Sequence, residues 1–217
     1  MAESVDWMEQ RSRMVERQLR SRGIRDQRVL AAMLSVPREE FVPPSLRARS
    51  YNDEPLKISH GQSISQPYII ALMSQSLELD GTGIVLEVGA GSGYHAAVLS
   101  HLAARIVAVE RIPELARTAR ENLKRAGYSQ TVTVVEGDGS RGWPDGAPYR
   151  AISVAAAAPE IPWQLLDQLA DPGRLVIPVG SRDDQDLKVV VKANGKLTTR
   201  VATFCRFVPL LGAQGWS

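Results

Sequence analysis

Cysteine is almost missing from this chain of 217 residues. Cys205 stands alone, which rules out an internal disulfide and any disulfide-stapled scaffold. No one sign of charge dominates. Lys and Arg number 26 against 24 Asp and Glu, and a net charge of +2 gives no global pull toward nucleic acid or anionic membrane. The opening MAESVDWMEQ has no basic stretch followed by an apolar run, so no secretory signal is expected. No apolar run approaches the ~20 residues that a membrane-spanning helix needs. Internal repeats and low-complexity tracts are also lacking. What is present is the composition of a folded globular protein, 44% hydrophobic and 23% charged, which excludes wholesale disorder. At roughly 150 residues per domain, the length suits one full-sized domain with an extension. The expectation is a cytoplasmic monomer with no nucleic-acid or membrane partner.

From Val5 to Arg22 the apolar positions Val5, Met8, Val15 and Leu19 recur at helical spacing, Gly23 offers a stop, and Asp26 can cap a second helix through Met33. Seven arginines between Arg11 and Arg28 make this region locally basic. Glu9, Glu16 and Asp26 interleave with them, so it reads as a solvated helix surface rather than a nucleic-acid face. From Pro37 to Pro67 the signals are those of a long structured loop, and Pro67 suits the first turn of a helix to about Leu77. After Gly83 strands alternate with helices. The expected strands are Ile84–Val88, Ile106–Glu110, Val132–Val135, Ala151–Ala155 and Arg174–Val179. The expected helices are Tyr94–Ala103, Pro113–Ala126 and Pro162–Ala170. Such alternation predicts a doubly wound, mostly parallel α/β sheet of the Rossmann-like class. Asn194-Gly195 between extended runs predicts a final antiparallel hairpin. The division expected is a single domain in which residues 1–78 form a helical and looped extension and residues 79–217 a ligand-binding core.

The most informative stretch is Glu87-Val88-Gly89-Ala90-Gly91-Ser92-Gly93-Tyr94, a strand running into three alternating glycines and then a helix. Glycines let a ligand approach the backbone without meeting a Cβ. Tyr94 occupies the third glycine position of the dinucleotide fingerprint, so that pattern fits poorly. Gly89-x-Gly91-x-Gly93 is the spacing of proteins that bind S-adenosyl-L-methionine. Glu87 would repel a pyrophosphate there but favour an ammonium; the alternative is a carboxylate bonded to backbone N–H groups at a strand end. Glu110 lies 21 residues beyond Gly89, where an acidic residue typically accepts from ribose hydroxyls. Asp138, in Gly137-Asp138-Gly139, can accept from an adenine amino group or can simply form an Asp-Gly turn.

The acceptor of the methyl group is narrowed by what surrounds these strand ends. Val154-Ala155-Ala156-Ala157-Ala158-Pro159 lacks the amide and aromatic that orient an amine. Cys205 lies in a late strand-like run and reads as a buried small hydrophobe, and no acidic cluster stands out as a metal site. A carboxylate acceptor, already nucleophilic at neutral pH, fits best.

Further motifs carry a resemblance. Tyr51-Asn52-Asp53-Glu54-Pro55-Leu56, Gly61-Gln62-Ser63-Ile64-Ser65-Gln66-Pro67-Tyr68, Val36-Pro37-Arg38-Glu39, Val109-Glu110-Arg111, Leu175-Val176-Ile177-Pro178-Val179-Gly180 and Arg206-Phe207-Val208-Pro209-Leu210 occur in an order that resembles the protein-L-isoaspartate O-methyltransferase family. The resemblance spans about Arg20 to Gly212. It implies methyl esterification of the free α-carboxyl of L-isoaspartyl residues in damaged proteins and peptides. The donor would be S-adenosyl-L-methionine, the product S-adenosyl-L-homocysteine, with no metal. It also implies Ser65 as the active-site serine, a donor to the carboxylate rather than a nucleophile; a helix-capping role is the alternative. Ser63, Ile64 and Val208 would help hold the substrate. Glu87, Gly89, Ala90, Gly91, Gly93, Glu110, Arg111, Asp138 and Gly139 would hold the cofactor. His60 and His95 receive no role. Two departures stand out: Ala155, where a small polar residue is usual, and Asp171-Pro172-Gly173, expected to be a turn before the fifth strand. The tail from Ala213 is too short to read. A methyltransferase acting on RNA or a metabolite, or a non-catalytic homologue, remains open.

Overall fold

A computed structural model describes residues 6–217. Asp6 begins the first helix by accepting from the Glu9 N–H at 2.9 Å, and α1 covers Trp7–Met14. The helical path continues as a widened π turn over Val15–Leu19 and a 3-10 turn over Arg20–Arg22, until left-handed Gly23 stops it. Val5, the first apolar position of the expected helix, lies outside the described residues. Asp26 caps α2 (Gln27–Ser35) by accepting from the N–H groups of Arg28 and Val29. The basic stretch is largely spent within the protein. Arg13 and Arg20 pair with Glu9 and Glu16, Arg22 with Asp53, and Arg28 donates to the Leu79 carbonyl. Arg11 is buried, donating to the Tyr51 hydroxyl at 2.8 Å and to Glu39 at 3.0 Å, which fastens α1 to the loop segment beyond α2. That loop folds into a short hairpin, β1 (Leu56–Lys57) and β2 (Ser63–Ile64), and Pro67 opens α3 (Pro67–Ser76) as expected.

The alternating half follows: β3 (Ile84–Val88), α4 (Tyr94–Leu99), β4 (Arg105–Glu110), α5 (Pro113–Arg125), β5 (Val132–Glu136), β6 (Tyr149–Val154), α6 (Trp163–Asp167), β7 (Leu169–Gly180), β8 (Gln185–Ala193) and β9 (Lys196–Cys205). Their sheet has the order β5-β4-β3-β6-β7-β8-β9, with the first five strands parallel and β8 and β9 antiparallel. The order reverses between β3 and β6, which opens a crevice at the carboxyl ends of the strands. Side chains alternate across the sheet. Val85, Ile106 and Ala108 join Met14, Leu19, Met33 and Met73 in one apolar cluster, and Leu86, Val88, Val107 and Val109 join Leu165 in the other. The N-terminal helices therefore complete one face of the sheet rather than standing apart from it.

The structure departs from expectation most clearly at three places. The helix expected over Pro162–Ala170 ends at Asp167, because the Gln168 carbonyl already accepts from the Tyr149 N–H and Leu169 pairs with β6. A helix also ends readily before Pro172, which disfavours helical backbone at Asp171. Asp171-Pro172-Gly173 lies inside β7, not in a turn, beside a register shift between Tyr149 and Ala151 where a missing N–H is tolerated. The Asp171 carboxylate there accepts from the N–H groups of Asn194 and Gly195, fixing the β8–β9 turn. Finally, α4 stops at Leu99 instead of Ala103, and the Leu102 carbonyl accepts from the Gly81 N–H.

Candidate active site

The crevice is a cavity of ≈ 210 Å³ roofed by the β1–β2 hairpin and floored by the strand ends. The turn after β3 forms its inner wall. Gly93 shows why glycine is needed there: its φ is +87°, and a Cβ would lie 3.0 Å from Leu123 Cγ on α5. Gly89, also left-handed, donates its N–H to the Val109 carbonyl at 2.8 Å, tying the turn to β4. Of the anticipated cofactor residues, Glu87, Gly89, Ala90, Gly91, Glu110, Arg111 and Gly139 line the cavity. Ser63, Ile64, Ser65 and Val208, anticipated for the substrate, line the same space.

Two carboxylates define its electrostatics. Glu87 is fully buried, and neither of its oxygens has a hydrogen-bond partner among the described residues. Burial pushes its pKa well above the usual carboxylate value, and the nearby Glu110 charge adds to that. His95 Nδ1 lies 3.5 Å from Glu87, but burial lowers the imidazole to about 4, so the pair is not an ion pair at neutral pH. Glu110 is placed differently. Its Oε2 accepts from the Gly91 N–H at 2.9 Å and its Oε1 from the Ile112 N–H at 3.0 Å, which leaves each oxygen with further acceptor capacity in a residue that lines the cavity.

The serine loop is held from behind. Arg38 is completely buried, donates to the Ser65 carbonyl at 2.8 Å and the Ser50 carbonyl at 2.7 Å, and lies over the Tyr94 ring at 4.8 Å. Burial holds its guanidinium below the ordinary arginine value. Gln66, not Ser65, occupies the N-cap of α3, and no side chain caps it, so the Ser65 hydroxyl is not spent on the helix. Sequence motifs contain Arg38 but give no sign that it reaches Ser65. A lysine cannot span both carbonyls as a planar fork does. Arg38→Lys is therefore expected to lower kcat/KM on an isoaspartyl peptide, the substrate that the sequence resemblance implies, about tenfold, with kcat falling more than KM rises. Binding of S-adenosyl-L-homocysteine should stay within twofold, and an equal loss of both would make Arg38 a general prop.

The family model for protein-L-isoaspartate(D-aspartate) O-methyltransferase matches residues 9–215. The chain belongs to this family. The protein-L-isoaspartate O-methyltransferase of Methanoculleus marisnigri is 54% identical over 95% of this chain and 94% of its own length. Among solved structures, a protein-L-isoaspartate O-methyltransferase superposes with a TM-score of 0.83 at 31% identity, covering 94% of this chain and 67% of that one. A Plasmodium falciparum relative, solved in complex with S-adenosyl-L-homocysteine, gives 0.79 at 27% identity and covers 93% and 98%.

Two anticipated residues of this family member do not reach the cavity wall. Gly93 serves helix packing, as above. Asp138 caps a 3-10 turn, accepting from Ser140 N–H at 3.0 Å and Oγ at 2.7 Å, and its other oxygen accepts from the Ala213 N–H at 2.8 Å. These partners hold its pKa low against the opposing effect of partial burial. The C-terminal tail thus braces the edge of the site without lining it. Leu210 and Leu211 line the cavity, and Trp216 Nε1 donates to the Ala157 carbonyl at 3.1 Å. Nothing in the five-residue tail signals its contact with Asp138 at the third strand end. Sequence reasoning also passed over His95, which lines the cavity and meets Ser74 Oγ at 3.2 Å. Ala155, the first departure, lines the cavity without a polar side chain.

Proposed function

We propose that the chain methylates the free α-carboxyl group of L-isoaspartyl residues in damaged proteins and peptides, using S-adenosyl-L-methionine. The observation that carries this reading is the Glu87 carboxyl, which has no hydrogen-bond partner among the described residues and lies buried at a cavity that Ser65 also lines. An uncompensated buried carboxyl fits a cation, and the donor's methionine ammonium is one. Glu110 has acceptor capacity left for ribose hydroxyls, and Gly89 to Gly91 offer an open backbone. When bound, the donor supplies an electrophilic methyl group and leaves as a neutral thioether.

The remaining work falls to this chain. The Ser65 hydroxyl donates to one oxygen of the substrate carboxylate and thereby aims the other. Its own main chain is fixed by Arg38, so little ordering entropy is lost when substrate binds. Backbone near Val208 completes the substrate contact. No general base is required, because the acceptor is ionised at neutral pH. Water displaced from beneath the hairpin by the two reactants would strengthen attraction between carboxylate and donor. Residues 1–78 supply the substrate side and residues 79–217 the cofactor side of one domain, which acts as a cytoplasmic monomer.

Ser65→Ala tests the assignment. Loss of one hydrogen bond to a charged group is expected to lower kcat/KM on an isoaspartyl peptide at least about tenfold. Affinity for S-adenosyl-L-homocysteine, measured by calorimetry, should remain within twofold. The product should be a base-labile methyl ester. Labelled methyl transfer to transfer RNA or to mixed metabolites, with none to the isoaspartyl peptide, would overturn the proposal.

A further inference from the structure

Three buried side chains touch in sequence beside the glycine turn. Ser74 Oγ, on α3, lies 3.2 Å from His95 Nε2 on α4, and His95 Nδ1 lies 3.5 Å from Glu87 Oε1 near the end of β3. None of the three is more than 4% exposed, and Glu87 and His95 line the cofactor cavity. The Glu87 oxygens and His95 Nδ1 have no hydrogen-bond partner among the described residues. Nor has the buried hydroxyl of Ser153, which stands opposite Glu87 in the β3–β6 register. Unpaired polar groups cost a core stability, and where they gather at a cavity they point to what it binds.

The contacts of the imidazole distinguish its two neutral forms. With the proton on Nε2, that N–H would donate to Ser74, and the bare Nδ1 lone pair would face a carboxylate oxygen. With the proton on Nδ1, Nε2 accepts from the Ser74 hydroxyl and the Nδ1–H faces Glu87. Only the second form suits an ionised Glu87. Glu110, at the end of β4, is the other ionisable group that acts on Glu87, and its charge disfavours a second carboxylate. From α3 and β6 the adjacent groups are hydroxyls, those of Ser74 and Ser153. Burial alone lowers the imidazole to about 4, so His95 is neutral at pH 7. A neutral donor leaves the carboxylate its full charge, whereas a lysine or arginine there would cancel the attraction for a cation.

We propose that His95 is the positioning residue of Glu87: carrying its proton on Nδ1, with Nε2 held by the Ser74 hydroxyl, it donates to the Glu87 carboxylate and keeps it ionised for the cofactor ammonium. This rests on the reading above that the ammonium pairs with Glu87. In the free protein burial favours the neutral acid, and 3.5 Å is longer than a good hydrogen bond. When the ammonium binds, the carboxyl proton leaves to solvent, His95 stays neutral, and its contact with Glu87 becomes charge-assisted.

Nitrogen NMR of isotope-labelled histidine reads the form directly. In the complex with S-adenosyl-L-homocysteine, His95 should show a protonated Nδ1 and a bare Nε2; the reverse pattern overturns the proposal. Calorimetry supplies a second measurement. His95→Leu should weaken S-adenosyl-L-homocysteine binding about tenfold near pH 6.5, and the loss should shrink toward about pH 8.5 as Glu87 ionises unaided. His95→Asn, whose amide N–H can take the place of the Nδ1–H, should stay within about threefold of the unaltered protein. Ser74→Ala, which frees the choice of tautomer, should fall between the two. A loss in His95→Leu that is equal at every pH, or that His95→Asn shares in full, would make His95 a packing residue and overturn the proposal while Glu87 keeps its place. If Glu87→Gln binds the cofactor product as tightly as the unaltered protein at every pH, the reading beneath the proposal falls, and the proposal with it.

Discussion

Glu110→Ala is expected to weaken binding of S-adenosyl-L-homocysteine about a hundredfold, the equivalent of roughly 2.7 kcal/mol. The figure follows from the proposed ribose role. Two hydroxyls donating to a charged acceptor would make charge-assisted hydrogen bonds, which are about twice as strong as neutral ones. The same side chain also accepts from the Gly91 and Ile112 N–H groups. Its removal therefore loosens the glycine turn as well as removing the proposed ribose contact. Glu110→Gln separates the two effects: its single amide oxygen can brace one N–H but carries no charge, and affinity should fall less, about tenfold. With cofactor at saturation, kcat on an isoaspartyl peptide should recover to within a few-fold in either variant. Unchanged affinity in Glu110→Ala would remove the ribose assignment. A melting temperature lowered by more than about 10 °C, with affinity lost in proportion, would make Glu110 chiefly a backbone brace.

The contrast between Glu110 and Asp138 shows how far the sequence could be read. Both are acids at strand ends, and spacing alone treats them alike. Glu110 reaches the cavity because its strand sits beside the switch point, whereas Asp138 is drawn aside by the Ser140 turn and the Ala213 N–H. That second partner lies 75 residues away in the chain, and no local pattern encodes it. Arg38 is a similar case. Its position in a motif is visible, but its link to the Ser65 carbonyl, 27 residues on, depends on how the loop folds over Tyr94. What the sequence does carry is anything governed by periodicity or by one residue's backbone. The strand–helix alternation, Pro67 at a helix start, Gly93 at φ +87° and Asn194-Gly195 in a hairpin all belong to this class. Two helix ends are exceptions: α4 stops at Leu99 short of Ala103, and at Pro162–Ala170 apolar spacing favours a helix but pairing of Leu169 with Tyr149 takes the last turn for the sheet.

Replacing Glu87 with glutamine should stabilise the protein and impair it at once. In the free protein the carboxyl is fully buried without a hydrogen-bond partner among the described residues, and its pKa is raised, first by burial and then by the Glu110 charge. In the unfolded chain it titrates near the ordinary value of about 4.3. Between that value and the raised one the folded state binds the additional proton, so stability falls as pH climbs through this window and does not return above it. Glutamine has no such cost. The cofactor-free Glu87→Gln protein should therefore melt higher at pH 7 to 8, by roughly 2–4 °C for each 1 kcal/mol relieved, with the advantage shrinking toward pH 4. Cofactor binding should change in the opposite direction. If the donor ammonium pairs with the ionised form, binding expels a proton, and affinity rises with pH across the same window. Calorimetry in two buffers of different ionisation enthalpy should show that release in the unaltered protein and none in Glu87→Gln. Affinity should fall about thirtyfold, the loss of a charge-assisted contact worth about 2 kcal/mol. A variant that binds the cofactor as tightly as before, with no change in proton release, would show that Glu87 faces something other than the ammonium. A variant that melts lower would show instead that the buried carboxyl already has a favourable partner in the free protein, with His95 Nδ1 at 3.5 Å the group to replace next.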